Sequence, residues 1–249
     1  VLAPLAAQAQ MRMPDYNWLG AGVRTRPAYD GSAAHETDLI PSVRYFGGPW
    51  FARTTQGILE GGARLELSHD LHLGAQLAYE AGRKASEAPF LSSHGVPDIH
   101  YTASAGVHAE WDHNLGPAPA TLLARVRQVV DTDRGAQADL RYTVGVLGWR
   151  ALSAALFFQG TWASARSNES FYGVSNDVAA SSGLPAYAPG GGLQFTTGGV
   201  LFGIDLNKSW LIVGEFEWRR LQGAAARSPL VEQPTSRYAT ASLAYRWSD

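Results

Sequence analysis

The chain has 249 residues, a formal net charge of −2, 45% hydrophobic and 17% charged residues, and no cysteine. This excludes disulfides, thiol nucleophiles and cysteine-based metal sites, and it leaves no basic footprint for nucleic acid. No uninterrupted apolar run approaches the ~18 residues of a membrane-spanning helix, whereas 27 Gly, 8 Trp and 10 Tyr in a chain long enough for one large β domain turn attention to strands.

The chain opens on Val1-Leu-Ala-Pro-Leu-Ala-Ala-Gln-Ala-Gln10, in which Ala7-Gln8-Ala9 fits a small-x-small cleavage pattern. Residues 1–16 are expected to be a signal-peptide remnant or a periplasmic N-terminal extension, and 17–249 the folded domain. The first strand is expected at 17–26, with Leu19, Ala21 and Val23 on one face, and Pro27-Ala-Tyr-Asp-Gly31 breaks it. A second strand at 37–46 ends in the turn Gly47-Gly48-Pro49. The segment 50–67 is too long for one strand and carries Gly57, Gly61 and Gly62, so it reads as two strands joined near 56–60. Alternation is clean at 71–79, where Leu71, Leu73, Ala75, Leu77 and Tyr79 oppose His72, Gly74, Gln76 and Ala78. A polar segment at 82–99 follows.

Strands are then expected at 101–111, 121–131, 136–147 and 150–162, with turns at 114–119 and 133–135. The longest irregular segment is 163–191. After it come a glycine-rich strand at 193–206 of unclear register, a turn at Asn207-Lys208, a strand at 210–221, a loop at 222–235 and a closing strand at 236–247. On that last strand Ala239, Ala241, Leu243, Tyr245 and Trp247 share an apolar face that ends in aromatics. Its length suits a tilted strand across a bilayer, and terminal aromatics suit the membrane interface.

The count is twelve, and its parity is informative. With 50–67 split in two, the long connections 27–36, 82–99, 163–191 and 222–236 fall at one end and the short turns at the other. That sorting belongs to outer-membrane barrels, with short periplasmic turns and long extracellular loops. The fold class expected is therefore all-β, a single transmembrane antiparallel β-barrel of about 12 strands in a bacterial outer membrane, in contact with lipid and lipopolysaccharide.

The second face of the strands is charged. Glu80, His108, Glu110, Asp112, Arg125, Arg127, Asp131, Asp139, Arg141, Glu215, Glu217 and Arg219 would point into the lumen, where charges need partners. His108, Glu110 and Asp112 repeat every second residue, ~7 Å apart. They read as part of a network with Arg125, Arg127 and Arg141 rather than as a metal or acid–base site. Ser92-Ser-His94 and Asp98-Ile-His100 lie in a loop rather than at a defined height on the wall. No catalytic residue, cofactor or metal is assigned. The loop 170–189 holds Phe171, Tyr172, Leu184, Pro185 and Tyr187 among small polar residues, which reads as a partial plug folded into the mouth or a recognition loop. Arg220 and Arg227 with Ser228-Pro229 are candidates for the same mouth.

Several segments resemble the MltA-interacting protein (MipA/OmpV) family of outer-membrane proteins: Gly20-Ala-Gly-Val23 with Pro27-Ala-Tyr-Asp-Gly-Ser32, Pro41-Ser-Val-Arg-Tyr45, Gly82-Arg-Lys84, Gly95-Val-Pro-Asp-Ile99, Ser170-Phe-Tyr-Gly-Val-Ser175, Ser182-Gly-Leu-Pro-Ala-Tyr-Ala-Pro189 and Arg220-Leu-Gln-Gly-Ala-Ala-Ala-Arg-Ser-Pro-Leu-Val231. One departure is the chain end, where two residues follow Trp247 and such barrels often stop on Phe. The resemblance implies a non-enzymatic scaffold that links a lytic transglycosylase to a peptidoglycan synthase. The alternative is a narrow channel or binding barrel for a small solute, since twelve strands enclose more space than the eight that side chains fill.

Overall fold

A computed structural model describes residues 16–247. The expected signal remnant or extension lies outside the described residues except for Tyr16. The strands are β1 (Asn17–Pro27), β2 (His35–Gly47), β3 (Trp50–Thr55), β4 (Ile58–Ser68), β5 (Leu71–Glu80), β6 (Thr102–Leu115), β7 (Ala118–Val129), β8 (Ala136–Trp149), β9 (Leu152–Ala163), β10 (Gly192–Asp205), β11 (Trp210–Leu221) and β12 (Thr235–Trp247). Each pairs antiparallel with its sequence neighbours, and β1 pairs with β12 from Asn17↔Trp247 to Thr25↔Ala239, which closes the barrel. Closure leaves neither the first nor the last strand as a free sheet edge, which a membrane does not tolerate.

The period of two sets which face each side chain takes. Leu19, Leu73, Leu77, Val107, Val126, Leu140, Phe158 and Leu243 are exposed on the outer wall. Trp50, Trp111, Trp149, Trp210 and Tyr245 ring it near the short turns, and Tyr79, Tyr101, Trp162 and Trp218 ring it near the long loops. An apolar wall of this extent between two aromatic belts is a lipid-facing surface. The inner wall is the reverse: Gln76, Ser104, His108, Arg125, Arg127, Asp139, Arg141, Gln159, Thr161 and Glu217 are buried.

The connections 48–49, 69–70, 116–117, 150–151 and 206–209 lie at one end, and 28–34, 81–101, 164–191 and 222–234 at the other. Two short connections, Gln56-Gly57 and 130–135, also fall at the long-loop end. This corrects the expectation that every short turn lies opposite the loops, because parity fixes the end of a connection and not its length. The long loops contain short helices: α1 (Pro89–Ser93), α2 (Ala165–Tyr172), α3 (Asn176–Ser182) and α4 (Gly223–Ala226). The segment 163–191 is thus not irregular. Ser164 and Ser175 cap α2 and α3 by accepting from the backbone N–H of Ser167 and Val178.

The tip of the β3–β4 hairpin departs from the wall. β3 pairs with β2 only at Arg44–Gly47. The hairpin tip, Gln56-Gly57, has φ of 52° and 75°, a two-residue turn whose left-handed geometry favours glycine. The tip folds into the barrel: Gln56 Nε2 donates to Glu217 Oε2 on β11 at 2.7 Å, and a Cβ on Gly57 would run into the Arg24 guanidinium. Residues 35–41 of β2 are left without a strand on that side. Pro41, with no N–H to donate, occupies this edge, where proline is tolerated.

Candidate functional site: the charged lumen and its loop cap

The lumen is crossed by side chains that join strands not adjacent in the sheet. Arg125 on β7 donates to Glu60 on β4 at 2.6 Å, and Arg53 on β3 to Glu110 on β6 at 2.7 Å. Arg141 on β8 approaches Glu215 on β11 at 3.7 Å. These are chords across the barrel, not contacts along its wall. Asp139 is the centre of the network: it accepts from Arg125 Nε at 2.9 Å and Nη2 at 2.8 Å, from Thr161 at 2.7 Å, from Gln159 at 3.3 Å and from Arg127 at 3.4 Å. Arg127 also donates to Glu80 at 2.7 Å, and Arg53 and Gln76 both donate to Glu60, at 2.6 and 2.8 Å. Glu60 is 1% exposed. Several partners around each charge replace the water lost on burial.

A second cluster lies nearer the loops. Arg219 donates to Asp30 at 2.8 Å and to Glu217 at 2.9 Å, and its guanidinium lies 4.4 and 4.6 Å from the Phe195 and Tyr238 ring centres. Tyr238 donates to the same Asp30 carboxylate. Asp30 belongs to loop 28–34, so this cluster ties a loop to the lumen.

The lumen residues named from sequence divide into three groups. Arg125, Arg127 and Asp139 are bonded together, as are Glu217 and Arg219. Arg141 stacks 3.8 Å over the Phe157 ring, and Glu215 has one oxygen without a hydrogen-bond partner among the described residues. Glu110 joins the Arg125 and Arg127 network indirectly, through Arg53 and Glu60, while His108 and Asp112 make no hydrogen bond to Arg125, Arg127 or Arg141. Glu110 accepts directly from Arg53. His108 meets the Phe51 ring edge-on at 5.2 Å, in space that a Cβ on Gly74 would fill. Asp112 accepts from Thr121 at 2.6 Å, towards the short-turn end of β6. Asp131 lies in the connection 130–135 and is exposed, not luminal.

Arg53 and Glu60 are central to the network and were missed. Gly57, Gly61 and Gly62 blur the alternation there. A two-residue turn at 56–57 makes 53 and 60 cross-strand partners, as observed, and opposite charges at those positions were the available signal.

The four long loops pack over the mouth with two apolar cores. One joins Ala28, Tyr29, Ala88, Leu91, Val96, Val174 and Leu230, with Leu184 and Tyr187 against it. The other joins Tyr172, Phe195, Leu221 and Ala225, with Phe171 against it. Pro185 is exposed and belongs to neither. Hydrogen bonds stitch the loops: Tyr29 Oη donates to the Leu230 carbonyl at 2.8 Å, Tyr187 Oη to the Ala224 carbonyl at 2.8 Å, and Ser228 Oγ to the Tyr172 carbonyl at 2.6 Å. Burial raises the Tyr172 and Tyr29 phenols above their ordinary range, with Glu232 adding to the second. Both therefore stay neutral at physiological pH, and Tyr29 keeps the proton it donates to the Leu230 carbonyl. Arg220 is exposed on the outer parity of β11 near the rim, and Arg227 is exposed at the end of α4 in the cap. In the sequence-flagged loop motifs, His94 Nδ1 lies 2.8 Å from the Phe90 carbonyl oxygen, and Asp98 accepts from the Ala85 N–H at 2.7 Å.

A model of the family described as MltA-interacting protein MipA matches residues 19–247. Comparison with curated proteins gives no match. Among solved structures, the NanC porin is 11% identical over 93% of this chain and 100% of its own, with a TM-score of 0.50. A bacterial polysaccharide outer membrane secretin is 10% identical over 95% of this chain and 100% of its own, at 0.47. LpxR from Salmonella typhimurium is 8% identical over 91% and 99%, at 0.47. At these identities the likeness to NanC is one of fold alone.

Proposed function

This chain belongs to the MltA-interacting protein MipA family, an outer-membrane β-barrel by sequence and architecture, and we propose that it serves as a non-enzymatic scaffold for peptidoglycan-remodelling enzymes rather than as a pore. The observation that carries the reading is the double obstruction: chords such as Arg125–Glu60 and Arg53–Glu110 cross the lumen, and a packed cap fills the mouth. A solute would have to break both. The partners are a lytic transglycosylase, by the family's name, and a peptidoglycan synthase, by resemblance. The periplasmic turns are mostly two residues long, so a partner would contact the whole ring of turns, with Arg150 exposed on one of them. Localisation follows from the same reading: the outer membrane of a Gram-negative bacterium.

A second reading has one specific observation behind it. Arg141 Nη2 and Glu215 Oε1 form a loose ion pair at 3.7 Å across the lumen, and Arg141 Nη1 and Glu215 Oε1 each lack a hydrogen-bond partner among the described residues. Such a pair would suit a narrow, charge-selective solute path. Two measurements on the refolded protein decide. Planar-bilayer recording is expected to show no steady openings, and immobilised barrel is expected to bind a purified lytic transglycosylase saturably, more weakly with Arg150→Glu. Steady single-channel openings together with no binding would sink the scaffold in favour of the channel.

A further inference from the structure

Between loops 81–101, 130–135 and 164–191 lies a cavity of about 880 Å³. Two arginines line it, Arg83 and Arg134, only 5% and 7% exposed. Neither forms an ion pair among the described residues. Arg83 donates to the carbonyls of Phe171 at 2.7 Å and Pro97 at 3.5 Å, and its Nε has no partner. Arg134 donates to the His100 carbonyl at 2.7 Å and lies 5.3 Å over the Phe171 ring, while its Nε and Nη2 have no partner. The Arg83 guanidinium also lies 5.9 Å from the Tyr29 ring centre, and neither arginine has the carboxylate partner that Arg53, Arg125, Arg127 and Arg219 have. Two buried guanidinium groups held by carbonyls and distant ring faces, with no carboxylate on either, are costly unless an anion completes them.

The cavity is not uniformly positive. Asp98, Asp131 and Glu169 also line it, but all three are exposed. The arginines therefore form the buried floor and the carboxylates the rim. Carboxylates at a rim repel a bare anion and accept hydrogen bonds from hydroxyl groups. Tyr101, exposed on the loop-side aromatic belt, lines the same cavity and offers a ring face at the height of the lipid headgroups.

We propose that this cavity binds a phosphorylated sugar, its phosphate on Arg83 and Arg134 and its hydroxyls on the rim carboxylates. Arginine forks match phosphate oxygens in two-point contacts, and the volume lies within the range of small-molecule sites. Burial lowers the pKa of both arginines, which an arriving phosphate would reverse. The phosphate sugar is either free in the medium or carried by a glycolipid of the outer leaflet.

The test is calorimetric titration of the refolded barrel in lauryldimethylamine oxide micelles with glucosamine 1-phosphate and with inorganic phosphate. Glucosamine 1-phosphate is expected to bind, more tightly than inorganic phosphate. Arg134→Gln is expected to weaken it at least tenfold, with heat-modifiable gel mobility unchanged. Asp131→Asn is expected to weaken the sugar phosphate while inorganic phosphate, relieved of one repelling charge, binds no more weakly than to wild type. A parallel flotation compares phosphatidylcholine vesicles with and without lipopolysaccharide. Retention of lipopolysaccharide that glucosamine 1-phosphate displaces assigns the site to a lipid headgroup, and binding of the free sugar phosphate without such retention assigns it to a solute. No binding of either probe, or equal binding by wild type and Arg134→Gln, overturns the site. Equal affinity for inorganic phosphate overturns the sugar.

Discussion

Five hydrogen bonds from four side chains converge on Asp139, which is 4% exposed. Removing its charge leaves Glu60 as the carboxylate on Arg125 and Glu80 as the one on Arg127. Breaking one side of a buried ionic cluster costs about 3–5 kcal/mol, far more than the pair contributes against an apolar replacement. Asp139→Asn is therefore expected to lower stability by about that amount, read as the urea midpoint of folding in lipid vesicles. Arg150→Gln, on an exposed turn, is expected to stay within about 0.5 kcal/mol of wild type. Equal midpoints would mean that water, not Asp139, compensates the arginines. Replacing both partners by apolar residues, Arg125→Met with Asp139→Leu, should recover much of the loss, since no single charge is stranded.

Among the elements, β2 and the cap carry distinct expectations. Val43 N–H turns towards β3, where it meets Thr54 Oγ1 at 3.3 Å, and in a strand the direction alternates. The N–H groups of Thr37 and Leu39 therefore face the side where no strand pairs, while Glu36, Asp38 and Ile40 face β1. Residue-resolved amide exchange should alternate accordingly, fast at 37 and 39 and slow at 36, 38 and 40. Uniform protection would mean that something pairs with this edge. In the cap, Leu91 and Leu230 are fully buried. Truncating either to alanine removes about 2–5 kcal/mol of packing, which is large against the stability of a few short helices. Leu91→Ala should expose 81–101 and 164–191 to trypsin while heat-modifiable mobility, a property of the barrel, persists.

The same elements show what the sequence could disclose. β5, β11 and β12 were legible because alternation is local and each is long enough to repeat it. Closure was legible through parity, because odd and even connections must alternate ends. The inward fold of Gln56-Gly57 was not, because it depends on Arg24 and Glu217, which are remote in sequence. Nor were α2 and α3, whose polar segments are set by Ser164 and Ser175 caps and by loop packing rather than by a helical stripe. The loop aromatics Phe171, Tyr172 and Tyr187 stood out by composition, while their partners Tyr29, Leu91 and Leu230 lie in other loops and gave no joint signal.

At the scale of the whole molecule, the chords and the cap are two seals in series along one axis. Asp30 connects them, since it accepts from Arg219 in the lumen and sits in the loop that carries Tyr29. For resistances in series, removing one leaves the current set by the other. Loosening the cap alone, by Leu91→Ala with Leu230→Ala, should thus leave a planar bilayer silent. Neutralising the chords alone, by Arg53→Gln, Glu60→Gln and Arg125→Gln, should do the same, because the cap cores do not depend on those charges. Combining the two sets should produce steady openings, with a conductance that rises with salt. Openings from the chord variant alone would show that the cap is permeable and that the lumen charges are the sole barrier. Silence from the combined variant, with folding shown by gel mobility, would place the closure elsewhere, with the inward-folded β3–β4 tip and its Gln56–Glu217 contact as the remaining obstruction.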